Sequence, residues 1–396
     1  MLFRSDEIRI EHLPAAGSPI LITDNRHPRI SFSLKSDRRD TSLRSARIRI
    51  NDWETETDDQ LNIVYDGPVL KPLTTYPVTI CATDDRGETA RAEAVFRTGR
   101  LDLPWQAKWI SDPAYHVESP SSPVPMLFRR RFTAQSAVKT LRISVTAMGV
   151  FDLYLDGKRL NEDYFAPGFT NYEADLQYVL HELSDLPAGE HELLAAVAGG
   201  WAVGRTTHVD NTNKSRSKLS ADRQALLCEM RLKYADGQSD VIGSDERFEV
   251  TENGPCRFAD WYDGEIYDAR IRPEAADWHP AAEEKLRVFP RLSARYGCPV
   301  TAHELLEPAA WMEAPSGELI CDFGQNIAGV VSLKIRGSAG QEIVIRHAEA
   351  LENGELYVQN LRSAKQELRY ICRDGEQEYS PRFTYMGFRY VGIRGI

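Results

Sequence analysis

The sequence predicts an all-β protein built from several sandwich domains. Apolar and polar residues alternate with a period of two through most of the chain, and the clearest case is ALLCEMRLKY at residues 225–234. There Cys228 and Met230 fall on one face of a strand and Glu229 on the other. Turn residues recur between such runs, and convincing amphipathic helices are few. Many short strands separated by turns are typical of β-sandwiches and jelly rolls.

The 396 residues divide into three predicted blocks. Residues 1–100 hold about seven short strands, which fits a fibronectin-III-like or immunoglobulin-like sandwich. A Pro/Ser-rich stretch at 111–125 is predicted to be a linker or a long loop. The second block is residues 101–290, and the third is residues 291–396. A length near 150 residues per domain is the usual prior, so two or three domains are expected.

Charge and hydropathy exclude several classes of partner. The formal net charge is −11, which argues against binding to a nucleic-acid backbone or to an anionic membrane surface. No run approaches the length of about 18 apolar residues that a membrane-spanning helix needs. A neutral sugar meets no such electrostatic repulsion, so a carbohydrate partner is compatible with this composition.

Cysteine usage and the first residues indicate a cytoplasmic location. The six cysteines are widely spaced, form no C-x-x-C pair and lie mostly in strand-like apolar runs, so free buried thiols are expected. The opening MLFRSDEIRIEHLP has no apolar core typical of a secretory signal. Zinc is not indicated, because no H-E-x-x-H motif is present.

The stretch ADWYDGEIYDARI at 259–271 combines aromatic rings with carboxylates. Ring faces cover the C–H groups of sugars, and carboxylates accept hydrogen bonds from sugar hydroxyls or bind a cation that does so. The sugar-binding candidates here are Trp261, Tyr262, Asp263 and Glu265. The structural alternative is a turn at Asp263-Gly264 with packed aromatics and solvated acids.

A second candidate stretch is GGWAVGRTTHVDNTNKSRSK at 199–218. Two glycines before Trp201 allow close backbone approach, and the polar tail is predicted to be a loop at a sandwich edge. Trp201, Asp210 and Asn211 are therefore further sugar-binding candidates. Asp210, Asn211 and Asn213 offer oxygen ligands that suit calcium, although their spacing is not that of an EF-hand. The alternative is a solvated loop without a ligand.

No motif marks a catalytic centre. The chain has no G-x-S-x-G, no P-loop and no G-x-G-x-x-G. Its acids show no spacing typical of the paired carboxylates of a glycosidase. No catalytic residue is therefore assigned.

Several stretches resemble the N-terminal, non-catalytic half of bacterial α-L-rhamnosidases of glycoside hydrolase family 78. They are WQAKWI at 105–110, the long run VTAMGVFDLYLDGKRLNEDYFAPGFTNYEADLQYV at 145–179, DFGQNIAGVVSLKIRGSAGQEIVIRHAEAL at 322–351 and SPRFTYMGFRYV at 380–391. The similarity covers nearly the whole chain. It implies a jelly roll for the middle block and a second jelly-roll or concanavalin-like sandwich for the last block.

The resemblance also implies what the chain lacks. In that family an (α/α)6 barrel follows the GFRYV strand and carries the acids that hydrolyse terminal α-L-rhamnosides with inversion. This chain stops at Ile396, so it is expected to be truncated before the barrel and inactive alone. The predicted seam to the missing domain is an exposed apolar patch at Phe383, Tyr385, Phe388 and Tyr390.

Three functions remain open. The first is the accessory region of an α-L-rhamnosidase, in which β-domains position a rhamnoside. The second is a stand-alone rhamnose-binding protein, since some family members have a jelly-roll module that binds L-rhamnose through calcium. The third is a structural array of β-sandwiches.

Overall fold

The computed structural model describes residues 7–15, 20–115, 124–204, 221 and 223–396. Strands dominate these residues. The two helical segments among them, η1 (Pro273–Ala275) and η2 (Gln359–Leu361), are single 3₁₀ turns. Within the described ranges, no helix has the length and apolar character needed to cross a membrane. The chain separates into a smaller unit, residues 1–105 with 291–298, and a larger unit, residues 106–290 with 299–396. The predicted all-β class is confirmed.

The smaller unit is a sandwich of two sheets. The four-stranded sheet has the order β2-β1-β4-β7, and the five-stranded sheet has the order β3-β9-β8-β5-β6. In β5 the predicted alternation is visible, because Ile48 is buried between exposed Arg47 and Arg49. The strands are β1 (Ile8–Ile10), β2 (Leu13–Pro14), β3 (Leu21–Thr23), β4 (Arg29–Phe32), β5 (Leu43–Ile50), β6 (Trp53–Thr57), β7 (Ile63–Val64), β8 (Thr75–Asp84) and β9 (Thr89–Thr98), and β24 (Arg291–Ala294) belongs to the same unit.

Two facing sheets form the first part of the larger unit. One has the order β14-β13-β16-β11-β19-β22, and the other includes β23-β10-β17-β12-β15 with β18 beside β17. Phe128, Val145 and Met230 are fully buried between them. The strands are β10 (Ile110–Ser111), β11 (Met126–Ala134), β12 (Val138–Met148), β13 (Val150–Leu155), β14 (Lys158–Arg159), β15 (Asp175–Leu186), β16 (Gly189–Ala198), β17 (Ala225–Tyr234), β18 (Ser239–Gly243), β19 (Glu249–Thr251), β22 (His279–Pro280) and β23 (Ala282–Glu283). A jelly-roll topology for these sheets stays a prediction.

A seven-stranded sheet with the order β20-β21-β31-β28-β33-β26-β25 completes the larger unit. The hairpin β20–β21 precedes residue 290 in the chain, yet β21 pairs in parallel with β31. The domain boundaries at 100 and 290 stay a prediction. The strands are β20 (Cys256–Asp260), β21 (Gly264–Asp268), β25 (Ala310–Glu313), β26 (Leu319–Gly329), β27 (Leu333–Gly337), β28 (Glu342–Ala348), β29 (Ala350–Glu352), β30 (Glu355–Tyr357), β31 (Glu367–Ile371), β32 (Gly375–Tyr379) and β33 (Met386–Arg394).

Strand β33 lies inside this sheet, between β28 and β26, and residues of this chain cover both of its faces. Phe388 is 1% exposed and packs against the rings of Phe323 and His347. Phe383 is 7% exposed. The prediction of an exposed apolar patch is therefore wrong for Phe383 and Phe388, because the chain's own core buries them.

The other two seam candidates differ from this pair. Tyr385 is 46% exposed, and Tyr390 is half-buried beside a small core that includes Ile320 and Ala348. A seam role for Tyr385 and Tyr390 stays a prediction.

The hairpin β20–β21 tolerates only glycine at its turn. Gly264 has a φ of +104°, and a Cβ there would lie 1.9 Å from the carbonyl oxygen of Glu367. Gly237 also has a positive φ, +90°, but a Cβ there would meet nothing within 4 Å.

We expect Gly237→Ala to lower the free energy of unfolding by about 1 kcal/mol through backbone strain alone. Gly264→Ala should lower it by about 3 kcal/mol, because overpacking against the β31 backbone is added. Urea unfolding of both variants measures this difference, and equal losses would contradict it.

Candidate functional site

Two tryptophans from separate sequence motifs stack on each other in the larger unit. The ring centroids of Trp201 and Trp261 are 4.5 Å apart with an interplanar angle of 28°. Phe165 stands edge-on to Trp261 at 4.8 Å, Phe169 lies 5.4 Å from Trp201, and Tyr385 lies 5.8 Å from Trp261. We call these five residues the aromatic cluster. The structure thus brings together one residue from each of the two predicted sugar motifs.

Each tryptophan is positioned by the end of a strand. Trp201 follows β16 after two glycines, and Gly200 has a φ of +52° with the Val150 side chain 2.8 Å from the position of a Cβ. A larger residue at Gly200 would push the Trp201 backbone off β13. Trp261 occupies the turn between β20 and β21. Its indole N–H is buried and has no acceptor among the described residues, so packing alone holds the ring.

The aromatic cluster is buried on one side and exposed on the other. Phe165 is only 7% exposed and belongs to a core with Phe383, Ala198 and Cys256. Phe169 and Tyr385, in contrast, are 60% and 46% exposed. Exposed aromatic rings can cover the C–H face of a sugar. Large exposed aromatics grouped in this way mark an interaction surface rather than a core.

The turn that carries Trp261 is anchored by hydrogen bonds. The Asp260 carboxylate, which is 4% exposed, accepts from the backbone N–H groups of Tyr262 at 2.7 Å and Asp263 at 3.1 Å. The Tyr262 carbonyl accepts from the N–H groups of Lys365 and Gln366, both at 3.0 Å. The backbone of this stretch therefore forms a turn, as the structural alternative to a sugar site predicts. Tyr262 is 47% exposed and Asp263 is half-buried, and a sugar-binding role for either stays a prediction.

Glu265 is buried, unlike the exposed acceptor that its sequence context suggests. It is 2% exposed, and its carboxylate accepts hydrogen bonds from the Tyr379 hydroxyl at 2.9 Å and from the N–H groups of Arg382 at 3.1 Å and Phe383 at 3.2 Å. The pKa of Glu265 is raised to about 7, because burial and, to a smaller extent, the nearby Asp152 charge raise it more than the three hydrogen bonds lower it. Glu265 therefore ties β21 to the segment before β33.

A buried ion pair next to Glu265 was missed by sequence reasoning. Arg382 donates to both oxygens of Asp152, at 2.7 and 2.8 Å, and to the Asp163 carbonyl at 2.8 Å. Its guanidinium also lies 3.9 Å from the centroid of the Tyr164 ring. The available signal was an acid inside the apolar run VFDLYL of β13, which is unusual unless the acid has a partner. Nothing in the sequence pointed to Arg382 as that partner.

The predicted calcium ligands cannot be placed. Asp210, Asn211 and Asn213 lie outside the described residues. Within the described ranges, no group of three or more His, Cys, Asp or Glu side chains is arranged to hold a metal ion. A calcium site in this chain stays a prediction.

The fold defines a class: a multi-domain region of β-sandwiches, which here carries a partly exposed aromatic cluster. Three family models match in succession along the chain. They are the Rha78A-like N-terminal immunoglobulin domain at residues 6–102, the α-L-rhamnosidase N-terminal domain at 136–308 and the bacterial α-L-rhamnosidase concanavalin-like domain at 312–396. The chain belongs to the α-L-rhamnosidase family, as the N-terminal β-domain region.

Individual relatives agree with this assignment. The chain is 32% identical over 312 residues to an α-L-rhamnosidase of Alteromonas sp., a match that covers 74% of this chain and 33% of the relative. It is 33% identical over 303 residues to the α-L-rhamnosidase of Streptomyces avermitilis, covering 73% of this chain and 28% of the relative. The matched region is therefore about a third of the length of these curated relatives.

Solved structures give the same result. The crystal structure of the α-L-rhamnosidase from Aspergillus terreus superimposes with a TM-score of 0.87 at 25% identity, covering 98% of this chain and 46% of that one. The structure of the α-L-rhamnosidase from Streptomyces avermitilis complexed with L-rhamnose has a TM-score of 0.83 at 22% identity, covering 100% of this chain and 56% of that one, and it shows a shared fold. This chain thus shares its fold with about half of each of these longer chains.

The buried Glu265 predicts a pH dependence of stability. Its folded-state pKa of about 7 lies above the ordinary value of 4.5, so the native state keeps a proton that the unfolded chain releases. Stability of the larger unit should fall as the pH rises from about 4.5 to about 7, by on the order of 3 kcal/mol, and stay lower above that window. Glu265→Gln should remove this component, since its amide donates to the Tyr379 hydroxyl while its oxygen accepts from the backbone.

Urea unfolding at pH 5 and pH 8 measures the effect. Glu274→Gln, at an exposed position, is the matched control, and its free energy of unfolding should depend on pH as that of the wild type does. A pH dependence that survives unchanged in Glu265→Gln would contradict the assignment.

Proposed function

We propose that this chain is the accessory region of an enzyme that hydrolyses terminal α-L-rhamnosides, and that a catalytic domain, the (α/α)6 barrel that the resemblance implies, is its partner. The observation that carries the proposal is the succession of three family models, each of an N-terminal or concanavalin-like module, along residues 6–396. In this role the β-domains support the catalytic domain and present the glycoside to it. The chain by itself is inactive.

The surroundings of the buried acids support inactivity. An inverting glycosidase needs two carboxyl groups that face each other across a sugar-sized cleft. Among the described residues, several buried acids instead form ion pairs with arginine. Such pairs are Asp84 with Arg38 at 2.9 Å, Asp152 with Arg382 at 2.7 Å, Glu229 with Arg231 at 2.8 Å and Glu318 with Arg394 at 3.1 Å. A carboxylate whose oxygens are bound by a guanidinium is a poor general acid, because it does not face a substrate to which it could donate a proton.

Incubation of the chain with 4-nitrophenyl α-L-rhamnoside tests the first part of the proposal. We expect release of nitrophenolate no faster than in a buffer blank, because the three family models that match are N-terminal and concanavalin-like modules. Turnover well above the blank, retained through repeated purification, would overturn the accessory assignment.

A second candidate function is sugar binding at the aromatic cluster. The stacked pair Trp201–Trp261 carries it, because two fixed and partly exposed indoles provide an apolar platform for a sugar ring. The exposed Tyr262 and the half-buried Asp263 lie beside Trp261 in the chain and would supply polar contacts. The names of the relatives make an α-L-rhamnoside the first ligand to test. Calcium remains part of this proposal, with Asp210, Asn211 and Asn213 as its ligands.

Calorimetric titration with L-rhamnose, with and without calcium, tests this second candidate. Trp201→Ala and Trp261→Ala should each lower the affinity at least about tenfold, because each removes half of the stacking surface. The matched control is Trp311→Ala, which removes an indole that is 55% exposed on β25, outside the aromatic cluster. Equal losses in all three variants would contradict a specific site, and no heat with the wild type would leave scaffolding as the function.

A cytoplasmic location is also proposed. Its support is that all six cysteines are free thiols, of which Cys228, Cys256, Cys321 and Cys372 are buried. Free buried thiols are usual where the compartment is reducing. Fractionation of the source cells tests it, and recovery of the protein from the medium or the periplasm would contradict it.

A further inference from the structure

The larger unit contains a cavity of about 550 Å³ that no member of the aromatic cluster lines. Its walls come from the sheet that contains β11, β13 and β16 on one side. The hairpin β20–β21 and residues 370–383 form the other side. Six aromatic residues line it: Tyr154, Tyr267, Trp278, Tyr370, Tyr379 and Phe383. We call it the tyrosine cavity. Its volume is within the range of about 300–1,000 Å³ typical of small-molecule sites.

Three stacked tyrosines form one wall of the tyrosine cavity. The Tyr370 and Tyr379 rings are 4.6 Å apart at 25°, and the Tyr267 and Tyr370 rings are 5.9 Å apart at 16°. The hydroxyl of Tyr370 donates to Gln377 at 3.0 Å, and that of Tyr379 donates to Glu265 at 2.9 Å. Tyr370 and Tyr379 are only 2% and 5% exposed, so their stack forms a rigid backing to this wall, and a ligand would contact the half-buried Tyr267 and Tyr154.

An indole held in one orientation forms another part of the lining. The Arg129 guanidinium lies 4.1 Å from the centroid of the Trp278 ring, and the Trp278 N–H donates to the Pro273 carbonyl at 2.8 Å. Arg129 is itself fixed by Glu249 at 2.7 Å. Trp278 is half-buried, so part of its ring surface remains accessible.

The charges around the tyrosine cavity balance. Five arginines and five acids line it: Arg129, Arg131, Arg272, Arg373, Arg382, Asp152, Glu192, Glu265, Glu274 and Glu378. At the rim Arg131 pairs with Glu192 at 2.9 Å, and within the lining Arg382 pairs with Asp152. A balanced ring of donors and acceptors gives no net attraction for an ion. It does offer many partners to the hydroxyl groups of a neutral polyol.

We propose that the tyrosine cavity is a second saccharide-binding site, for a neutral sugar whose C–H face packs on the tyrosines and Trp278 and whose hydroxyls bond to the charged rim. An apolar aglycone alone fits less well, because it would cover the charged lining without making hydrogen bonds to it. The inference rests on the proposed function only in the choice of L-rhamnose and methyl α-L-rhamnoside as the first sugars to test.

The test separates this site from the aromatic cluster by disrupting the aromatic cluster first and then measuring the binding that remains. The starting protein is Trp201→Ala, in which the stacked pair of the aromatic cluster is broken. Calorimetry with methyl α-L-rhamnoside should still show one binding event on this protein. Adding Trp278→Ala or Tyr154→Ala, each of which removes a ring of the lining, should lower its affinity at least about tenfold. Thermal unfolding establishes that each variant is folded, and Trp311→Ala in the same background serves as the matched control.

Each outcome is informative. One event that survives Trp201→Ala and is lost with Trp278→Ala or Tyr154→Ala supports the tyrosine cavity. Complete loss of binding in Trp201→Ala alone overturns it and leaves the aromatic cluster as the site. Binding of D-galacturonate in preference to the neutral sugar overturns the neutral class. Absence of binding in every protein overturns both saccharide sites, whereas the accessory role is still decided by the hydrolysis assay.

Discussion

The larger unit depends on one buried connection, the hydrogen bonds and ion pair that hold residues 379–383 in place. Glu265 on β21 accepts from Tyr379, Arg382 and Phe383, while the side chain of Arg382 binds Asp152 on β13. Two strands that belong to different sheets are thereby joined to one short segment. A buried ion pair adds little net stability over an apolar contact, because desolvation opposes its attraction. What it provides is a unique geometry, since any other register leaves a charge buried without a partner.

Both candidate sites take their shape from this connection. Trp261 precedes Glu265 in the turn before β21, and Tyr385 follows Arg382 on the way into β33, so the aromatic cluster is assembled on either side of the anchored segment. The tyrosine cavity is lined by Glu265, Asp152 and Arg382 themselves. A site built on regular strands and locked by hydrogen bonds is more rigid than one on loops. That rigidity suits the sugar-binding role proposed for both sites.

The sequence predicted local features well and long-range pairing poorly. The period-two pattern located strands such as β5 and β17, because each buries one face and the alternation records it directly. Trp201 and Trp261 were each singled out by residue type, but their stacking depends on strands that meet only in the folded sheets. Arg382 and Asp152 are 230 residues apart, and no local pattern encodes such a pair. Phe388 shows the same limit, since an apolar strand predicts that it is covered but not by which residues.

The place of β33 in its sheet also has a consequence for biosynthesis. This strand is made after β26 and β28, yet it separates them and pairs with both. Until residues 386–394 leave the ribosome, β26 and β28 each lack the neighbour that satisfies their backbone groups, and such open edges invite pairing with other chains. The nascent sheet therefore remains prone to aggregation until β33 has been synthesised. Sequences of this kind should benefit from a chaperone that shields the half-formed sheet during translation.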